Sequence, residues 1–318
     1  MNDAIKIVNG NVEDFACDVL VLKYAQGFHG ADSAVARLLS GSVFGPSNIA
    51  PLPGEFVLFP GNGKVAAKFI LFVGVERLIK FGYSQIREFT RFALQLLSLR
   101  LPDATNIAMT MHGVGYGLDE REAFLAQLGG LIYAMKHEHE KYSSYKITIV
   151  EKNWKRSNRL QNLLFENTTF QKPDSLISET QKSEIQAGIS SEKKPHIFVA
   201  MPFNDEMEDV FIFGIQGPVN RAGYLCERVD MDIFTGDIVS RILERISTAS
   251  LVIGDLTGAN ANVYLEIGYA WGKNVPTLLL TRREEDLKFD VKSQRCIIYK
   301  NINDLARKLE ADLKCLSK

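Results

Sequence analysis

The feature that most constrains this chain is an alternation found on both sides of a polar break: short apolar runs separated by longer amphipathic stretches. In the first half the runs fall at residues 19–22, 56–59, 69–75, 107–111 and 147–150, and the amphipathic stretches at 32–39, 84–99, 119–136 and 154–165. Strands read as continuous apolar runs when helices cover both faces of a sheet, and apolar residues at three- and four-residue spacing mark helices facing a core. The first half is therefore predicted to be an α/β domain with helices packed on its sheet.

The break at residues 167–194 is rich in Ser, Thr, Gln, Lys and Glu. Its apolar residues are too sparse to offset the entropy of ordering it, so it is expected to be a flexible linker. A chain of 318 residues also exceeds the usual size of one core, which favours two domains, at 1–166 and 195–318. After the break come HIFVAM, a helix before Gly223, YLCERVD, a helix from Thr235 to Thr248, LVIGDL, a helix near 263–272, and TLLLT. Four strands with helical crossovers predict a doubly wound parallel sheet, because such crossovers are almost always right-handed. Thr235 suits an N-cap, and Gly272 followed by Lys273, Asn274 and Pro276 suits a helix stop.

With a net charge of −1, nothing draws the chain generally to nucleic acid or to an anionic membrane, so the expected partner is a small molecule. Cys17, Cys226, Cys296 and Cys315 lack CxxC or Cys/His spacing, so neither a metal site nor a disulfide framework is predicted. The polar, acidic start differs from a signal peptide, and no apolar run reaches the roughly 18 to 20 residues that cross a bilayer. The expectation is a cytoplasmic protein with reduced thiols.

Open α/β sheets bind ligands beyond the carboxyl ends of their strands. In the second half those positions hold Met201, Pro202 and Phe203; Arg228 and Asp230; and Asp255, Thr257, Gly258, Asn260 and Asn262, with Glu266 on the following helix. Arg228 reads as a phosphate fork or as an ion pair with Asp230 or Glu227. Asp255 reads as a ribose-hydroxyl acceptor or a turn cap, and Asn260 and Asn262 as ligand contacts or turn residues. In the first half, His112 leads into Gly113, Val114, Gly115, Tyr116 and Gly117 ahead of a helix, where glycines let backbone N–H groups turn toward an anion. Its G-x-G-x-G spacing is not the dinucleotide fingerprint. His112 is either a ligand contact or a turn residue. His137 and His139 point to different helix faces, and Arg156 and Arg159 read as a phosphate contact or as a solvated helix face.

Two resemblances rest on these segments. VAMPF at 199–203, DLTGANANVYLEIGYA at 255–270 and the trailing KFDVKSQRCIIYKNINDL resemble the TIR-like domains related to nucleoside 2-deoxyribosyltransferases, many of them in prokaryotic defence proteins. That resemblance implies that Glu266 lies beneath the ribose carbon during N-glycosidic cleavage, as nucleophile or as stabiliser of an oxocarbenium-like transition state. NAD would then be a substrate, with no cofactor required. The chain departs from deoxyribosyltransferases at Asn260, where an acidic residue usually precedes the catalytic Glu by six positions, and at Ala249 and Ser250. GNVEDFACDVLVL at 10–22, HGVGYGLDEREAF at 112–124 and ITIVEKNWKRSNRL at 147–160 resemble macro-like domains related to the leucine aminopeptidase N-terminal domain, although Lys23, Tyr24, Ala25 and Gln26 replace the asparagine-rich turn. The combination implies a self-associating nucleotide sensor joined to an NAD-cleaving effector. A non-catalytic nucleotide-binding module and a deoxyribosyltransferase are the alternatives.

Overall fold

The computed structural model describes residues 4–40, 49–137, 142, 144–169, 191–229 and 236–316. It divides into two compact units, Met1–Gly113 with Glu120–Ser190, and Val114–Asp119 with Ser191–Lys318. Residues 170–190 of the expected linker, Asp230, the expected cap Thr235, and His139 lie outside the described residues.

The first unit holds strands β1 (Ile5–Asn9), β2 (Val19–Tyr24), β3 (Phe56–Pro60), β4 (Phe69–Gly74), β5 (Asn106–Thr110) and β6 (Lys146–Glu151). Its helices are α1 (Gly30–Ser40), α2 (Tyr83–Arg100), α3 (Glu120–His137) and α4 (Trp154–Thr169). The strand order is β1-β6-β5-β2-β4-β3, parallel throughout except for the antiparallel β3–β4 pair. Val19 to Leu22 are wholly buried, the outcome expected of a strand covered on both faces. The helix expected to be amphipathic at 119–136 is instead buried nearly all round. Its Gly130 permits a close approach to α2, since a Cβ there would lie 2.0 Å from Thr90 Oγ1. Strand β1 was not expected.

The second unit holds β7 (His196–Ala200), β8 (Leu225–Glu227), β9 (Leu251–Asp255), β10 (Thr277–Thr281) and β11 (Cys296–Ile298), all parallel, in the order β11-β10-β9-β7-β8. Five strands replace the four expected, because β11 is only three residues long. The helical segments are α5 (Asp205–Asp209), a π-helical turn (Val210–Gln216), α6 (Gly217–Arg221), α7 (Gly236–Thr248), α8 (Ala261–Gly272) and α9 (Ile302–Leu316).

Alternation along β7 builds two cores. Ile197 and Val199 pack with Val210, Ile215, Leu305 and Leu309 on one face, whereas Phe198 and Ala200 pack with Ile242, Ile246, Val263 and Ile267 on the other. The sheet is thus doubly wound, with its order reversing between β7 and β9. No helix among the described residues is long and apolar enough to cross a membrane.

Candidate active site

The loops following β7 and β9 flank the point where strand order reverses in the second unit. After β7, Met201 is buried, Phe203 is exposed, and Asn204 caps α5 by accepting from the Met207 amide at 2.9 Å. Arg228, just past β8, is buried and donates to Glu208 Oε2 at 2.8 Å. Its guanidinium lies 3.9 Å from the Phe211 ring centroid and 5.2 Å from that of Phe203. Arg228 is thus ion-paired, with Glu208 as a partner the sequence did not suggest, and the expected partner Asp230 lies outside the described residues. Glu208 reaches it from α5, while Glu227 is occupied by Arg245.

After β9 the chain turns sharply, with Gly258 at φ +76° and Ala259 at φ +51°. Only glycine adopts such angles without steric cost, so Ala259 is the strained member of the pair. Asp255, wholly buried, accepts from the Thr257 amide at 2.9 Å and from the Tyr299 hydroxyl at 2.8 Å. Burial outweighs those hydrogen bonds and raises its carboxyl above the usual range. Thr257 Oγ1 accepts from the Arg282 amide at 3.1 Å, and the Gly258 amide donates to Asp286 Oδ2 at 3.1 Å. Asn260 caps α8 by accepting from the Asn262 amide at 2.9 Å. The turn readings of Asp255 and Asn260 thus describe what these side chains do in the folded chain.

Glu266 differs from all of these. It occupies the second turn of α8, three residues after Val263 and four before Ala270, so helical spacing sets it on the stripe that includes buried Ile267. A glycine at 254 lets that stripe approach β9, since a Cβ there would lie 2.5 Å from Ile267 Cδ1. Glu266 is half-buried, and no hydrogen-bond donor or cation among the described residues meets it. Burial alone pushes its carboxyl up to about 7.

In the Gly113–Gly117 loop, Gly113, Gly115 and Gly117 have φ of +84°, +83° and +87°, the left-handed geometry their alternation suggested. Val114 through Asp119 group with the second unit, where Tyr116 bridges Val229 and its carbonyl accepts from Arg241 Nε at 3.2 Å. His112 is neither a turn residue bonded to local backbone nor an exposed contact. Its ring is fully buried with neither nitrogen hydrogen-bonded, and burial holds its pKa well below the usual value. Arg156 and Arg159, expected on a solvated face or at a phosphate, both grip Glu120, at 3.1 Å and 2.7 Å. Among the described residues no group of three or more His, Cys, Asp or Glu is gathered for a metal ion.

Sequence reasoning missed Glu208, Tyr299 and Arg282. The latter two follow β11 and β10, and recognising the short CII strand would have placed Tyr299 at the sheet's crest.

The fold and these residues define a two-unit α/β protein with a carboxyl on the helix that follows a central strand, unpaired among the described residues. No protein-family model matches the chain, and no curated protein does. Among solved structures it is similar to the Oceanobacillus iheyensis macrodomain with MES bound (18% identity, 51% of this chain and 91% of that one, TM-score 0.40). It is also similar to the Trypanosoma brucei macrodomain in complex with ADP-ribose (20% identity, 50% and 68%, TM-score 0.38). A third is the macro domain of ganglioside induced differentiation associated protein 2 (15% identity, 51% and 84%, TM-score 0.38).

Proposed function

We propose that the second unit cleaves the N-glycosidic bond of NAD or a related nucleotide, with Glu266 as its carboxylate, and that the first unit binds a nucleotide ligand that governs it. The observation that carries the catalytic part is the state of Glu266: half-buried on the sheet-facing stripe of α8, without a partner among the described residues, and pushed up to about 7 by burial. Folding gains nothing from leaving a carboxyl so placed, whereas a positive charge developing on a ribose carbon would supply the missing partner. The TIR-like resemblance of residues 255–270 supports the same position, and the macro-like resemblance of the first half supports the nucleotide-sensing part. A defence-type effector that self-associates is the setting these resemblances imply.

The alternative of a non-catalytic binding module draws on a specific observation. Asp255, Arg228 and Asn260 are each committed to internal partners, so that among the described residues none of them is left free to act beside Glu266. The same commitment weighs against a deoxyribosyltransferase. Incubating the full chain with NAD, deoxynucleosides and deoxynucleotides, with candidate activating nucleotides present, and following base release by chromatography separates the readings. Release of nicotinamide supports glycosidic cleavage, and base exchange supports the transferase. Inert behaviour under every condition, with nucleotide binding retained, supports the binding module.

A further inference from the structure

A cavity of about 690 Å³ opens at the carboxyl ends of β10 and β11, lined by Phe213, Arg282, Lys300, Asn301, Ile302 and Asn303. It lies on the face of the sheet that carries the π-helical turn and α9, whereas Glu266 belongs to α8 on the other face. Its volume is in the range of small-molecule sites, and it lies beyond the carboxyl ends of two parallel strands, away from the point where strand order reverses.

Two cations and one aromatic ring give the cavity its chemistry. Arg282 is held in place by the carboxylate of Glu206 and by the face of Tyr299, 5.9 Å away. The Lys300 ammonium has no carboxylate partner among the described residues, its backbone amide alone being bonded, to Asp304. Phe213 is 63% exposed, although its neighbours in the π-helical turn, Phe211 and Ile212, are buried. Gly214 brings that turn against α9, where a Cβ would come 2.8 Å from Leu305 Cδ2, and the turn thereby presents Phe213 at the cavity. π-Helical turns recur at functional sites. An exposed ring beside an unneutralised ammonium and an anchored guanidinium suits a ligand with a flat face and an anionic tail.

We infer that this cavity binds a nucleotide, its base against Phe213 and its phosphates between Lys300 and Arg282, as a site separate from that of Glu266. The site goes beyond the glycosidic cleavage proposed above and does not require it.

The test is calorimetry on the full chain with ADP and, separately, inorganic pyrophosphate, comparing wild type with Lys300→Glu and Phe213→Ala. Both side chains are at the surface, and a thermal melt confirms that each variant folds. Lys300→Glu is expected to weaken both probes about tenfold or more, the scale of one charge-assisted contact. Phe213→Ala is expected to weaken ADP about tenfold while leaving pyrophosphate unchanged, the scale of one base stacked on an aromatic ring. ADP bound with the same affinity by either folded variant overturns the assignment, as does wild type that binds no ADP. Loss with Lys300→Glu alone reduces the cavity to an inorganic-anion site and overturns the nucleotide.

Discussion

The carboxyl-end residues of the two central sheets treat polar groups in opposite ways. In the first unit, Lys23 Nζ and Asp32 Oδ2 form an ion pair at 2.6 Å with both side chains at least nineteen-twentieths buried. His112, nearby in charge terms through Lys23, is sealed with both ring nitrogens unmatched and its edge against Phe89 at 4.6 Å. In the second unit, Asp255 and Arg228 have internal partners, and Glu266, unmatched among the described residues, is only half-buried. Access to water separates the two cases. A sealed imidazole stays neutral and costs folding energy, whereas a carboxyl at the edge of water can exchange its proton or meet a cation brought by a ligand.

The largest expected effect would break the first side of that contrast. Lys23→Met leaves Asp32 buried without its counter-ion and should destabilise the protein by about 3–5 kcal/mol at neutral pH. Adding Asp32→Leu should recover most of that loss. Denaturant unfolding at pH 7 checks both, and a single variant as stable as wild type would show that the pair is not sealed from water.

On the second side, Glu266→Gln keeps the shape of the side chain and removes its charge. Base release should fall by about 10² to 10³, and by more if the carboxylate is the nucleophile. Undiminished release by that variant would transfer the chemistry to another residue.

The contrast was only partly legible in the sequence. Continuous apolar runs such as 19–22 and 251–253 announced the central strands, because helices cover both their faces. The edge strand β1 alternates buried Ile5 and Ile7 with exposed Lys6, and β11 has three residues, so neither made a run long enough to stand out. The E-I-G-Y-A neighbourhood singled out Glu266, but its burial without a partner among the described residues is a property of packing that the sequence does not carry. Arg228 was matched to acids beside it in the chain, whereas Glu208, which precedes it by 20 residues, reaches it only through the fold. His112 looked like a turn residue because local sequence carries no sign of the ring's burial under Phe89.

A smaller effect follows from the titration of Glu266. Its folded-state carboxyl is raised from 4.5 to about 7 by burial. At pH below about 4.5 the group is protonated whether folded or unfolded and imposes no penalty. Between about 4.5 and 7 the unfolded chain releases the proton while the folded chain keeps it, so the folded state loses stability over that window, and the loss is complete above about 7. Glu266→Gln should therefore be more stable than wild type by about 1–3 kcal/mol at pH 8, less than the full shift implies because water reaches the carboxyl, and about equal at pH 4.5. Thermal melts across that range check it, and a difference independent of pH would mean that Glu266 has a partner after all. Activity, if it requires the ionised form, should rise over the same interval.

The smallest stability effect expected is at Asn260, where the contrast between committed and uncommitted groups can be sharpened without disturbing the fold. Its side chain already accepts the Asn262 amide at the start of α8, and aspartate caps a helix as well as asparagine does. Asn260→Asp should therefore change stability by no more than about 0.5 kcal/mol, with any gain coming from negative charge at the positive end of the helix dipole. The substitution nevertheless places an acid six residues before Glu266, the spacing found in the deoxyribosyltransferases this segment resembles. If the cap holds the new carboxylate as it holds the amide, the variant should release base at the wild-type rate and exchange none. Appearance of base exchange in a chromatographic assay would show that the side chain leaves its cap to face substrate, and would move position 260 from the committed class to the class of Glu266.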